Sequence, residues 1–403
     1  MSNIQLIIEE RARDIGNFMV GRLLPFREKK MVGPFVFIDH MGPVNMNDHQ
    51  NVDIGPHPHI GLSTLTFLFE GNIMHKDSLG TEVEIKPGQV NWMTAGKGIV
   101  HSERTPDHLR HSDKHMHGLQ IWVALPKELE QMDPSFAHIE ADELPHWQQD
   151  GVNIKLIAGE AFGKKSPVPV YSKLFFLELK SDSEQTVNIG PHLYGEWGMY
   201  ILEGNVESEG NVFGPKQLLV AKPEIFCAFK MQANTTIYIV GGEPFPEPRY
   251  IDWNFVASDR ALIEAAKQKW REQSFDPVPG EHGFIPLPNE SPFLKNKDMS
   301  QTEIKHTQHQ GQHGKRGSFD FMVDGVKMAE MAYVMAGEHK MIIEHTEVDD
   351  SLGGQGIGKR LQAELVNYVR EHGLKVLPLC PFAHAMFKKM PEWQDVLENR
   401  EHL

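Results

Sequence analysis

The sequence predicts a mainly β chain: two tandem β-barrels followed by a C-terminal α+β domain. Three observations carry this. Residues 18–251 consist of short apolar runs broken by Gly, Pro and Asn, the pattern of an all-β sandwich or barrel. Within them, Thr66-Phe67-Leu68-Phe69-Glu70-Gly71-Asn72 is echoed by Met199-Tyr200-Ile201-Leu202-Glu203-Gly204-Asn205, each a strand-like run ending in a Glu-Gly-Asn turn. At Ser258 the pattern changes to helical spacing, and beyond a Pro-rich stretch it becomes mixed.

The first barrel takes the runs at 34–38, 63–70, 82–85 and 119–125, and the second those at 154–157, 174–179, 199–202, 217–220 and 236–240. Each echo is followed by a further strand and a turn, Pro87-Gly88 in one and Gly214-Pro215 in the other, so two copies of one barrel fit best. Ala261, Leu262, Ala265, Ala266 and Trp270 share a helical face over 259–273, with Ser258 or Asp259 as N-cap. Residues 275–292 are Pro-rich and the chain stays polar to about 302, a linker in which only 283–288 is apolar enough to lie along the barrel. Beyond it, 318–323, 326–335 and 340–348 read as antiparallel strands joined by Asp324-Gly325 and Gly337-Glu338 turns. A Gly-rich loop, a helix over 357–372, a strand over 375–379 and a last helix from about 383 complete the chain. The predicted domains are 1–150, 151–275, a linker at 276–300, and 301–403.

At 403 residues the chain is too long for one ordinary core. A formal charge of −15 argues against direct nucleic-acid binding and against anionic membranes. No run of about 18 apolar residues predicts a transmembrane helix. The first residues lack the basic and apolar regions of a signal peptide, and Cys227 and Cys380 read as reduced thiols, so a cytoplasmic protein is expected.

Two short steps stand out: His57-Pro58-His59 and His101-Ser102-Glu103. In a strand, residues i and i+2 point to one face, so two such strands brought together offer three imidazoles and a carboxylate. That donor set suits iron, copper, nickel or zinc better than calcium or magnesium. A single His-x-His pair is weak evidence, because a chain with 22 His yields about one by chance. His115 and His117, with His111, read as a solvated loop before a strand, and His306, His309 and His313 as surface residues.

The flanking residues are more specific. Pro34-Phe35-Val36-Phe37-Ile38-Asp39-His40, Pro56-His57-Pro58-His59-Ile60-Gly61, Phe69-Glu70-Gly71, the run from Trp92 to Glu103 and that from His117 to Pro126 together resemble the pirin family of the cupin superfamily, over roughly residues 1–290. The resemblance implies a bicupin, two tandem cupin-type β-barrels of which only the first keeps a metal. It implies His57, His59, His101 and Glu103 as ligands of a mononuclear iron, Fe(II) or another divalent transition metal. His192 and Glu196 lie near the corresponding place in the second copy, which lacks both steps. His40 is a candidate for orienting a ligand or substrate. The implied activity is of quercetinase type, oxygen-dependent ring opening of a flavonol-like small molecule, with Glu103 as catalytic base. The alternative is a non-catalytic metal- or redox-sensing protein that recruits a protein partner.

Gly353, Gly354, Gln355, Gly356, Ile357, Gly358 and Lys359 form a Gly-rich loop opening a helix, where free backbone N–H groups favour an anion. It is not a Walker loop, and the strands before it read antiparallel rather than βαβ. With Leu379-Cys380-Pro381-Phe382-Ala383 and Pro391-Glu392-Trp393-Gln394-Asp395, it resembles the small stand-alone members of the GNAT-type N-acetyltransferases over about 301–398. The resemblance implies that the seven loop residues bind acetyl-CoA. Gly353 stands where the family usually has Arg or Gln. Glu344 and Glu347 are candidate bases, and Cys380 a candidate acyl acceptor.

Overall fold

The computed structural model describes residues 4–14, 19–222, 228–288, 302–311, 314–323, 326–349, 352 and 356–398. The chain divides into two compact units, 1–285 and 286–403. No helix among the described residues is long and apolar enough to cross a membrane.

The first unit holds two barrels of the same construction. In the first, a seven-stranded antiparallel sheet runs in the spatial order Ser135–Ile139, Val90–Thr94, Leu62–Glu70, Lys114–Ala124, Phe35–Met46, Met19–Leu24 and Arg11–Asp14. It is faced by a four-stranded sheet, Asp53–His59, Ile99–Arg104, Ile73–Asp77 and Glu82–Ile85. In the second, the large sheet runs Ile4–Glu9, Gln217–Ala221, Glu196–Glu203, Thr235–Gly242, Leu174–Ser181, Val152–Ala161 and His146–Gln149, with Lys164–Lys165 as a side branch. Its four-stranded sheet is Gln185–Asn188, Ala228–Met231, Val206–Ser208 and Asn211–Phe213.

The boundary expected at 150 is crossed at both ends. Ile4–Glu9 and His146–Gln149, read with the first barrel, are hydrogen-bonded into the large sheet of the second. The physical reason is an edge: Gln217–Ala221 would otherwise present unpaired backbone groups, and Ile4–Glu9 covers them while Ile8 becomes fully buried. One apolar cluster joins the barrels, with Phe35, Leu65, Phe67 and Trp92 from the first and Phe176, Tyr200 and Tyr238 from the second. Completely buried aromatic side chains of this size contribute about 2–3 kcal/mol each, so the two barrels share their stability.

After the second barrel the chain returns to the first. A hairpin, Tyr250–Asp252 with Phe255–Ala257, leads into the helix Arg260–Arg271. The Asp259 side chain accepts from the Ala261 amide at 2.8 Å, an N-cap, and Ile263, Ala266 and Trp270 bury one face. Residues 275–285 then lie along the first barrel. The Trp270 indole N–H donates to the Ile285 carbonyl at 2.9 Å, and the Ile285 amide donates to the Pro56 carbonyl at 2.8 Å. Gly61, at φ +66°, is required here, because a Cβ would stand 1.9 Å from the Val256 carbonyl oxygen of the hairpin.

The second unit is a five-stranded sheet, Thr302–Gly311, Gly314–Val323, Val326–Met335, Lys340–Val348 and Lys375–Pro378, with only the last pair parallel. The helices Ile357–Glu371 and Pro381–Lys389 pack on it around Phe321, Met331, Leu361 and Leu365. The strand Thr302–Gly311 falls where polar surface residues are expected; with Ile304 as its one large apolar side chain, it has no alternation by which to read as a strand. The Asp324-Gly325 turn, the linker at 289–300 and Cys227 lie outside the described residues.

Candidate metal centre

The site grows from the pairing of Asp53–His59 with Ile99–Arg104. They run antiparallel with His57 directly opposite His101 and His59 opposite Ile99. Alternation therefore puts His57 and His59 on one face, beside the His101 ring. Ring centroids are 4.3 Å apart for His57 and His101, 5.0 Å for His59 and His101, and 5.1 Å for His57 and His59. One ligand nitrogen from each of the three lies within 4.8 Å of the others.

These rings are prepared to bind through one particular nitrogen. The His57 Nδ1–H donates to the Gly55 carbonyl at 2.8 Å, and the His59 Nδ1–H to the Asn254 carbonyl at 3.1 Å. Each Nε2 is thereby left with its lone pair, the arrangement that orients a ligating imidazole. The His101 Nδ1 stands 3.4 Å from the His75 Nδ1, while its Nε2 is buried without a hydrogen-bond partner. Burial pushes the His57 imidazole down to about 4. It holds His59 and His101 well below the usual range too, helped by the neighbouring imidazoles. Three neutral imidazoles around one point fit a borderline transition metal and leave further coordination positions open.

Glu103 is on the same strand but is not in this close set. The pairing register shifts between His101 and Glu103, at a bulge, so Glu103 faces Ile54 on one neighbour and His75 on the other. Its carboxyl is buried, and burial raises its proton affinity, offset in part by His75 and the Thr66 hydroxyl. Around the ligands, the edge of Trp122 meets His59 at 5.0 Å, and Phe37 stacks on Trp122 at 4.0 Å. Glu281 of the returning chain accepts from the Ser102 hydroxyl at 3.0 Å and from Arg104 at 2.8 and 2.6 Å. Ser102 and Arg104, on the face of the strand opposite His101 and Glu103, are thus tied to the returning tail.

Two contributors escape a reading of the sequence. Asn254 acts through its backbone carbonyl, so its side chain carries no signal. His75 does carry one: His75-Lys76-Asp77 is a further i, i+2 step, and it lies on the strand beside His101. The rival histidines behave differently from their expected solvated loop. Strand Lys114–Ala124 begins early enough to include His115 and His117, because Lys114, His115 and Met116 pair with Met46, Asn45 and Val44. His117 is buried, its Nε2 2.8 Å from the His40 Nε2. His40 also meets Glu10 at 2.6 Å and the Tyr200 hydroxyl at 2.9 Å, and so belongs to the seam between the barrels. His306 is on the surface, stacked on Phe319, whereas His313 lies outside the described residues.

In the second unit, Gly353, Gly354 and Gln355 lie outside the described residues. Gly356 is left-handed at φ 74° and immediately precedes the helix, as a loop-to-helix turn requires. Ile357 points into the core and Lys359 is exposed. Gly358 has a packing role, since a Cβ there would stand 2.6 Å from the Phe382 ring. Glu344 pairs with Arg316 at 3.1 Å and Glu347 is exposed. Cys380 is buried with its Sγ 3.3 Å from the Thr346 hydroxyl.

Comparison with known proteins agrees with this architecture. Residues 17–123 match the family model described as Pirin, 176–276 the Pirin C-terminal cupin domain, and 318–396 a GCN5-related N-acetyl-transferase. A solved quercetin 2,3-dioxygenase from Acinetobacter baumannii superposes with a TM-score of 0.65 at 34 % identity, over 70 % of this chain and 94 % of that one. Pirin-1 of Arabidopsis thaliana is 29 % identical over 59 % of this chain and 82 % of its own length. A Pirin-like protein of Caulobacter vibrioides is 48 % identical over 71 % of this chain and 99 % of its own length. With two cupin barrels in tandem, three convergent imidazoles in the first and that degree of identity, the chain belongs to the pirin family and carries an acetyltransferase-like domain behind it.

Proposed function

We propose that the first barrel is an iron(II)-dependent dioxygenase of quercetinase type, acting on a flavonol or another enediol-like small molecule. The observation that supports it most is the set of three buried imidazoles whose Nδ1 atoms are engaged and which each offer one nitrogen within 4.8 Å of the others. His57, His59 and His101 would hold the metal, with Glu103 as fourth ligand. Bound there, a divalent transition metal supplies a Lewis-acidic, redox-active centre open to small ligands. The buried Glu103 carboxyl, its proton affinity raised by burial, would accept the proton of a substrate hydroxyl. The Trp122 edge packed on His59 would keep bulk water from that ring.

Oxygen uptake by the iron-loaded full chain, assayed with flavonols and other enediols, tests this. Substrate-dependent uptake that is lost in His59→Ala is the expected result. The complete burial of all three ligands favours one other reading, in which the site senses metal or redox state and the surface recruits a protein partner. No uptake, together with partner binding that depends on iron oxidation state, would replace the first reading by that one.

For the second unit the proposed ligand is acetyl-CoA, its pyrophosphate at the loop 353–359 and the N-terminus of helix Ile357–Glu371. Calorimetry with acetyl-CoA tests it, and absence of binding would overturn it. N-acetyl transfer to an amine is the proposed reaction.

A further inference from the structure

We propose that Asp77 and His75 form a positioning dyad that fixes the tautomer of His101 and so decides whether its metal-facing nitrogen can bind. This rests on the metal reading above. The three side chains stand in line on adjacent strands, Ile73–Asp77 and Ile99–Arg104, with Asp77 directly opposite His101. The His75 Nε2 is 3.0 Å from Asp77 Oδ2, and the His75 Nδ1 is 3.4 Å from the His101 Nδ1. All three are buried, at 0 % exposure for Asp77, 4 % for His75 and 1 % for His101. The His75 ring is further held by stacking on Phe136 at 4.6 Å.

Hydrogen-bond polarity follows from one end to the other. The Asp77 carboxylate is the fixed point, since Oδ1 accepts from the Leu79 amide at 2.9 Å and the Thr81 amide at 3.1 Å. Oδ2 is then an acceptor facing His75, so His75 carries its proton on Nε2 and presents a lone pair on Nδ1. That lone pair accepts the His101 Nδ1–H. The proton of His101 is thereby on Nδ1, and its Nε2, buried without any hydrogen-bond partner, is a bare lone pair. Gly55 and Asn254 do the same for His57 and His59 with backbone carbonyls. His101 has a side chain in that place, and a side chain can be reversed by substitution.

Asp77→Asn is the reversing change. Its amide oxygen would remain on the two backbone N–H groups, leaving the NH₂ to face His75 as a donor. His75 would then accept at Nε2 and donate from Nδ1, which would drive the His101 proton onto Nε2 and block it. The experiment strips the full chain with a chelator and titrates cobalt(II) against a colorimetric competitor, reading the visible bands for the ligand set. Wild type binds one equivalent. Asp77→Asn is expected to bind about ten- to a hundredfold more weakly, with the melting temperature of the metal-free protein unchanged. His75→Leu should also weaken binding, and His75→Gln, whose amide oxygen can accept from His101, should restore most of it.

That rescue keeps the test decisive if Asp77→Asn does not fold. Cobalt affinity equal to wild type in Asp77→Asn, or equal loss in His75→Leu and His75→Gln, overturns the dyad while leaving the metal centre standing. Failure of wild type itself to bind cobalt overturns the centre and the dyad together.

Discussion

The two barrels are built alike and filled differently. Each pairs a large antiparallel sheet with a four-stranded one whose strands follow the same spatial order. In the first, the facing pair across the two leading strands of the small sheet is His57 and His101. In the second, it is Val187 and Phe229. Around Val187 and Phe229 the barrel closes with Ile189, Met199, Ile201, Met231 and Ile239, an apolar core with no metal-ligating cluster among the described residues. The residues expected to mark a vestigial site do other work: His192 stacks on Phe162 at 4.2 Å, and Glu196 pairs with Lys29 at 2.7 Å. The two copies thus differ at a few inward-facing positions on a shared frame, three convergent imidazoles in one and apolar packing in the other.

The comparison can be broken most sharply in the second barrel. Phe229→Ala should cost about 3–5 kcal/mol in denaturant unfolding yet leave the metal content of the folded protein unchanged. Loss of metal in that variant would show that the barrels do not divide these roles.

Copying the second barrel into the first is the converse. His57→Val combined with His101→Phe should abolish the stabilisation that metal confers, about 2.7 kcal/mol when free metal is a hundred times its dissociation constant. Melts with and without added metal should coincide for this variant and separate for wild type.

The smallest expected effect concerns the seam that joins the barrels. Burial raises the Glu10 carboxyl, but hydrogen bonds from His40 and Tyr200 outweigh this and hold it below the ordinary carboxylate value. A lowered folded-state value stabilises above the unfolded one, near 4.5, and that contribution is lost as pH falls through the folded value. Glu10→Gln should therefore cost about 1–3 kcal/mol at neutral pH and flatten the fall in stability below about pH 4.5. An unchanged acid limb in the variant would place the acid sensitivity elsewhere.

Much of this molecule is legible in its sequence because it is periodic. Alternation marks the strands, and the i, i+2 steps are enough to bring His57, His59 and His101 to one side of a sheet. Three features are not legible, each for a physical reason. The register shift in strand Asp53–His59, between the Ile54–Glu103 and His57–His101 pairs, has no side-chain signature of its own. The pairing of Ile4–Glu9 with Gln217–Ala221 depends on an edge created some two hundred residues later. The Asn254 carbonyl that orients His59 is backbone, identical for every residue type. His75 is different: its spacing to Asp77 repeats the pattern of the ligand pairs, and only its place beside His101 shows its use.

The central claim is that three imidazoles of the first barrel, and nothing in the second, hold one transition metal. Elemental analysis of the purified full chain, wild type beside His59→Ala, tests it most directly. The account predicts about one equivalent of metal per chain in wild type, with iron foremost, and essentially none in the variant. Equal metal in the two, or none in wild type after reconstitution with iron(II), would contradict it.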